Sequence, residues 1–142
     1  MPHVGPLGPD TVRASFNFNN PLRVVGSGAD SVLSKLSTQI LTLTGDKNLV
    51  LDAVKRGEDD ADISIGDLPA RPQGQKSVIV RVFDSLGGRG VGTVRSLWNL
   101  AKVVKTNILE DDGDVVPLAE DGHGFEVDIG PFQVQTYRLV LA

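Results

Sequence analysis

The chain has 142 residues, a formal net charge of −4 and no cysteine. That length fits one domain burying roughly 68–70% of its unfolded surface, and the missing thiols exclude disulfides and thiolate zinc sites. The basic residues are scattered rather than clustered, against a nucleic-acid face, and no apolar run approaches the ~20 residues of a membrane span.

Residues 1–10 read as a loose leader. Met1-Pro2-His3-Val4-Gly5-Pro6-Leu7-Gly8-Pro9 is too rich in Pro and Gly for regular structure and lacks the basic and apolar regions of a secretory signal. Residues 11–142 then read as the folded module. With no signal, no cysteine and no Asn-x-Ser/Thr sequon, the expected compartment is cytoplasmic or vacuolar.

From residue 12 onward the dominant period is two, the mark of strands with one buried and one wet face. Val12, Ala14, Phe16 and Phe18 alternate with Arg13, Ser15 and Asn17, which predicts a strand over 12–18. The only helix candidate is 30–36. Strands are predicted over 38–43, 49–54, 77–83, 89–97, 100–106, 125–129 and 132–141. The stretch 77–83 is apolar on both faces except at Arg81, as in a central strand. In the last run the apolar set shifts from Phe132 and Val134 to Tyr137, Leu139 and Leu141, which predicts a bulge or twist within that strand. Turn signals at Asn20-Pro21, Thr44-Gly45-Asp46, Gly87-Gly88, Asp112-Gly113-Asp114, Asp121-Gly122 and Gly130-Pro131 separate the runs. About eight short strands with such spacing predict an all-β fold, a single-domain antiparallel β-sandwich. The longest irregular stretch, 57–76, marks a functional or disordered loop.

The inventory for chemistry is poor. The two histidines, His3 and His123, fall in the leader and in a turn, where neither has the rigid support that a catalytic triad needs. The acidic runs 58–62 and 110–114 lack the ligand spacing of a calcium loop and read as solvated loops. The glycine-rich stretch 86–92 lacks the Gly-Lys-Ser/Thr ending of a phosphate loop and reads as a tight turn. Trp98, the sole tryptophan, is a candidate for sugar stacking or for a core or interface position.

Several blocks in order carry a family resemblance: NLVLDAVKRGEDD (48–60), SVIVRVFDSLGGR (77–89), TNILE (106–110) and GPFQVQTYRL (130–139), preceded by FNNPL (18–22). Together they resemble the extreme C-terminal region of glycoside hydrolase family 38 α-mannosidases, especially the fungal cytosolic or vacuolar type, over about 11–142. Phe83-Asp84 stands where the family usually has Tyr-Glu, and Gln133 where it often has Glu. Pro131 suits a strand start, and Phe132 is expected to anchor the core. The family's zinc site and Asp nucleophile lie in N-terminal domains of a much longer chain, and no position here matches those motifs.

The resemblance implies a non-catalytic module that packs on catalytic domains carried elsewhere, with no cofactor of its own and zinc only in those domains. It offers the turn at Lys55, Arg56, Gly57, Glu58, Asp59 and Asp60 as a sugar-rim or interdomain contact. The expected partners are those catalytic domains or a second copy paired through edge strands, and mannose-containing glycans. A stand-alone lectin-like fungal protein is the alternative. Catalysis by this chain alone is not expected.

Overall fold

The computed structural model describes residues 5, 7–21, 23, 39–57 and 76–142. Eight strands are divided between two antiparallel sheets: β1 (Leu41–Gly45), β2 (Leu49–Arg56), β3 (Ser77–Asp84), β4 (Gly90–Ser96), β5 (Leu100–Thr106), β6 (Asp112–Val116), β7 (Gly124–Ile129) and β8 (Val134–Leu141). One sheet has the order β1-β4-β7 and the other β2-β3-β8-β5-β6. The predicted all-β sandwich is the observed fold, and β3 is an interior strand of the larger sheet. The helix candidate 30–36 and residues 58–75 of the long loop lie outside the described residues.

The period of two shows directly in the three-stranded sheet, where buried and exposed residues alternate along β4 and β7. Their inward side chains, among them Val94, Phe125, Val127 and Ile129, meet Val80, Val82, Val103 and Leu139 of the larger sheet. Phe125 and Tyr137 pack as tilted rings with centroids 5.0 Å apart. Burial, with a smaller effect from Asp128, pushes the Tyr137 phenol up to about 12, so it stays protonated and donates its hydrogen to Gln135 Oε1.

Four expectations are corrected. Residues 12–18 belong not to a strand but to helix α1 (Pro9–Asn19). Pro9 presets the first helical turn, the Gly8 carbonyl accepts the N–H of Thr11 (3.1 Å) and of Val12 (3.2 Å), and Asp10 suits the N-terminal dipole. Val12 and Phe16 are four apart, so they fall on one helical face as well as on one strand face. Asn19 and Asn20 close the helix by donating to the Ser15 and Phe16 carbonyls, each at 3.0 Å.

Second, β8 carries no bulge against β3, since their pairing runs unbroken from Ser77↔Val140 to Phe83↔Val134. The apolar shift has another cause. Residues 135–139 are buried on both faces, so polarity no longer reports which face is inside. The irregularities lie instead in β2, between Leu51 and Ala53, and in β5. Third, Phe132 does not anchor the core, because it sits in the turn before β8 and is 73% exposed. Fourth, the acidic stretch after residue 110 is not only loop, since Asp112–Val116 pairs with β5 as an edge strand.

At one end of the sandwich the chain crosses between sheets three times: from β1 to β2, from β3 to β4 and from β7 to β8. All three crossings bind one carboxylate. Asp84, 2% exposed at the end of β3, accepts Asn48 Nδ2 at 2.6 Å, the Gly87 N–H at 2.7 Å, the Phe132 N–H at 2.8 Å and the Leu86 N–H at 3.3 Å. Burial alone would raise this carboxyl, but the Phe132, Asn48, Leu86 and Gly87 hydrogen bonds outweigh it and hold it below the usual carboxylate range.

The substitution Asp84→Ala strands several buried donors at once, and urea unfolding is expected to show a loss of about 3 kcal/mol. The folded Asp84 titrates below its unfolded value, so its stabilisation is fully present above an unfolded pKa of about 3.9 and is lost as pH falls through the folded value. An unfolding series from pH 6 downward is therefore expected to converge for wild type and Asp84→Asn at the acid end.

Candidate functional site

Two groups of residues singled out in the sequence meet at the opposite end. Antiparallel pairing sets Arg56 opposite Val78 and Leu100 opposite Leu141, so the end of β2, the start of β3, the end of β8 and the start of β5 converge there. Trp98 lies in the bend between β4 and β5. Its backbone N–H donates to Ser96 Oγ at 3.0 Å, and the Leu97 N–H donates to the Ile40 carbonyl at 2.9 Å, which holds the bend. The result is a depression of about 530 Å3 lined by Val54, Lys55, Arg56, Lys76, Ser77, Val78, Trp98 and Leu141.

The lining combines an indole and three aliphatic side chains with three cations. An indole face suits the C–H face of a pyranose, and the cations suit hydroxyls or carboxylates at a rim. Lys55, Arg56 and Trp98 are thus brought together. Glu58, Asp59 and Asp60 lie outside the described residues.

Lys55 also takes part in a second constellation, on the outer face of the larger sheet. Register places Lys55, Ile79, Arg138 and Val104 in one row across β2, β3, β8 and β5. The turn between β5 and β6 folds over that row and lays Glu110 on it. Lys55 Nζ approaches Glu110 Oε1 at 2.5 Å. The Arg138 guanidinium donates to the Glu110 carbonyl at 2.8 Å, to Asp112 Oδ1 at 3.0 Å and to Ser77 Oγ at 3.2 Å.

Sequence reasoning took 110–114 as solvated, yet Glu110 is buried as a counter-ion. The available signal was Arg138, a cation in the middle of an otherwise packed last strand, which requires a buried carboxylate or carbonyl partner.

The remaining candidates are occupied by structural contacts. In the glycine-rich stretch the Leu86 and Gly87 amides point to Asp84 and the Val91 amide to Asp46, so they do not face outward as a phosphate cradle. His123 Nδ1 lies 3.3 Å from the Ser96 carbonyl, and Asp121 pairs with Arg95. Among the described residues no group of three or more His, Asp or Glu side chains fits a metal ion. The zinc of the resembled family therefore finds no ligand set there, and no step is assigned to it.

Breaking a buried ion pair by removing one partner costs about 3–5 kcal/mol, so Glu110→Ala is expected to destabilise the fold by an amount in that range, read by chemical denaturation. Lys55→Met withdraws a cation from the buried Glu110 carboxylate and is expected by the same rule to cost a comparable amount, about 3 kcal/mol.

Residues 69–137 match the family model described as "Glycosyl hydrolases family 38 C-terminal beta sandwich domain". An "Alpha-mannosidase" of Saccharomyces cerevisiae is 28% identical over 149 residues, covering 97% of this chain. The chain spans only 13% of that relative's length. Two antiparallel sheets in the matched region, with the ordered blocks that run along nearly the whole chain, make this chain similar to the C-terminal β-sandwich domains of the family 38 glycosyl hydrolases.

Proposed function

We propose that this sandwich is a non-catalytic module of a family 38 α-mannosidase, packing on a catalytic domain carried elsewhere in the polypeptide. Its Lys55, Arg56 and Trp98 depression contributes to the rim of a site for mannose-containing glycans. The observation that carries the glycan contact is the meeting of Trp98 with Lys55 and Arg56 around one recess of pocket size. The substrate chemistry comes from the named activity of the Saccharomyces relative. Zinc and nucleophile belong to the catalytic part in this reading. The cysteine-free composition supports a cytoplasmic or vacuolar compartment. Among the described residues no helix is long and apolar enough to cross a membrane.

The same recess supports a second reading, a lectin-like protein that binds mannosides by itself. The sole tryptophan reports on the site directly, so titration of methyl α-mannoside into the isolated chain, followed by Trp98 fluorescence and calorimetry, separates the two. The module reading predicts no saturable binding by the isolated chain, with activity recovered when catalytic domains are supplied. Saturable binding shifts the function to the lectin. In the assembled enzyme, Trp98→Ala is expected to raise KM about five-fold with kcat unchanged, the loss of about 1 kcal/mol of stacking. An unchanged KM removes Trp98 from the glycan site.

A further inference from the structure

Strand β1 is an edge of the three-stranded sheet. The Leu97 N–H donates to the Ile40 carbonyl at 2.9 Å, and the Asp46 N–H donates to the Val91 carbonyl at 3.0 Å. Hydrogen-bonded pairs recur at every second residue of an antiparallel ladder. Between those two bonds, therefore, Thr42 is bonded to Arg95 and Thr44 to Thr93, while the N–H and C=O groups of Leu41, Leu43 and Gly45 point away from β4. Among the described residues nothing hydrogen-bonds to these outward groups.

The other described sheet edges are closed or defended against a further strand. β6 carries Asp112 and Asp114. β2 has a register shift between Leu51 and Ala53 and the charges of Asp52, Lys55 and Arg56. At β7, Leu118 bridges to Phe125, and the Ala119 N–H donates to the Gly124 carbonyl at 2.8 Å. β1 reads LTLTG, with no charge and no proline, and its pairing with β4 is unbroken.

A groove of about 690 Å3 meets residues 41–44 of β1 and residues 49–51 of β2. Successive strand residues point to opposite faces. A groove that touches four consecutive residues of β1 therefore opens on the edge of the strand, where the outward backbone groups lie. Helix α1 adds Arg13 and Phe16 to the lining, and Leu43, Leu49 and Leu51 make much of the rest apolar. Among the described residues that line the groove, the charged ones are Arg13 and Lys47, with no carboxylate. Asp46, next to Lys47, is turned to the Val91 N–H at 2.8 Å.

We propose that β1 and this groove bind an extended acidic segment of a partner protein, which joins the three-stranded sheet as a fourth strand beside β1. Backbone bonds to Leu41 and Leu43 supply the attachment, apolar side chains at alternate positions meet Leu43, Leu51 and Phe16, and carboxylates meet Arg13 and Lys47. Charge decides the occupant. A second copy offering its own residues 40–45 brings no carboxylate, and a two-fold contact brings a second set of the same cations. The site shares no lining residue with the Trp98 depression and stands independently of the mannosidase reading.

The test uses the full 142-residue chain and three capped hexapeptides: one of alternating glutamate and valine, its lysine counterpart, and the glutamate peptide with every amide N-methylated. The glutamate peptide is expected to bind saturably and to slow hydrogen exchange at the Leu41 and Leu43 amides about ten-fold or more, with the amides around Trp98 unchanged. The lysine peptide is expected to bind about five-fold or more weakly, and the N-methylated peptide not at all. Arg13 and Lys47 are exposed, so Arg13→Glu/Lys47→Glu is expected to melt as wild type does and to reverse the order of the two charged peptides. Binding that leaves exchange at Leu41 and Leu43 unchanged, equal binding of the N-methylated peptide, or no binding of any peptide overturns strand addition. Equal binding of the two charged peptides overturns the acidic partner. Leu41 and Leu43 amides already protected in the dilute chain give the edge to the chain itself, and protection that grows with protein concentration alone gives it to a second copy; either result overturns the peptide site.

Discussion

A carboxylate sealed from water is ordinarily a cost to a fold, and Asp84 is worth keeping only because everything around it donates to it. Three connections pass from one sheet to the other at its end of the sandwich, and each contributes a donor: an Asn48 side chain, the amides of Leu86 and Gly87, and the amide of Phe132. None of these connections can shift without leaving a buried polar group unmatched. The alignment of the two sheets, and hence the facing of Val94 and Phe125 against Val80 and Leu139, depends on that shared acceptor. Asp84 also holds Phe132 in its left-handed conformation, so one charge fixes both the fold and the shape presented at that end.

The larger sheet needs a second constraint because it is covered on both faces. On its inner side the core is apolar. On its outer side Arg138 sits among Ile79 and Val104, and Glu110 is laid over it by the turn between β5 and β6. That contact reaches Lys55 beside the open recess with Trp98 and three cations, while the other end of the sandwich is built on Asp84 and its donors.

Much of this was legible in the residues. Strands β3, β4, β5 and β7 follow from alternation, because each keeps a wet face or a bounded apolar run. The ordered blocks pointed to the family whose model matches residues 69–137. The failures have physical causes. Helix α1 was hidden because Val12 and Phe16 satisfy either period, while Pro9 was read as leader rather than as a helix start. Strand β6 was hidden because an edge strand made of Asp112, Gly113 and Asp114 carries the charges that keep an edge from pairing further. Phe132 misled because a large ring at a strand start ordinarily points inward. Lys55, Arg56 and Trp98 were each picked out singly, but only the sheet register brings them together, and no local pattern encodes a partner more than forty residues away.

The proposed function places this sandwich in a mannosidase architecture with no chemistry of its own. The most direct measurement is zinc-supplemented turnover of an aryl α-mannoside by the isolated 142-residue chain, followed through successive purification steps. The account predicts that any activity separates from the protein peak. Turnover that co-elutes with the chain at constant specific activity would contradict it.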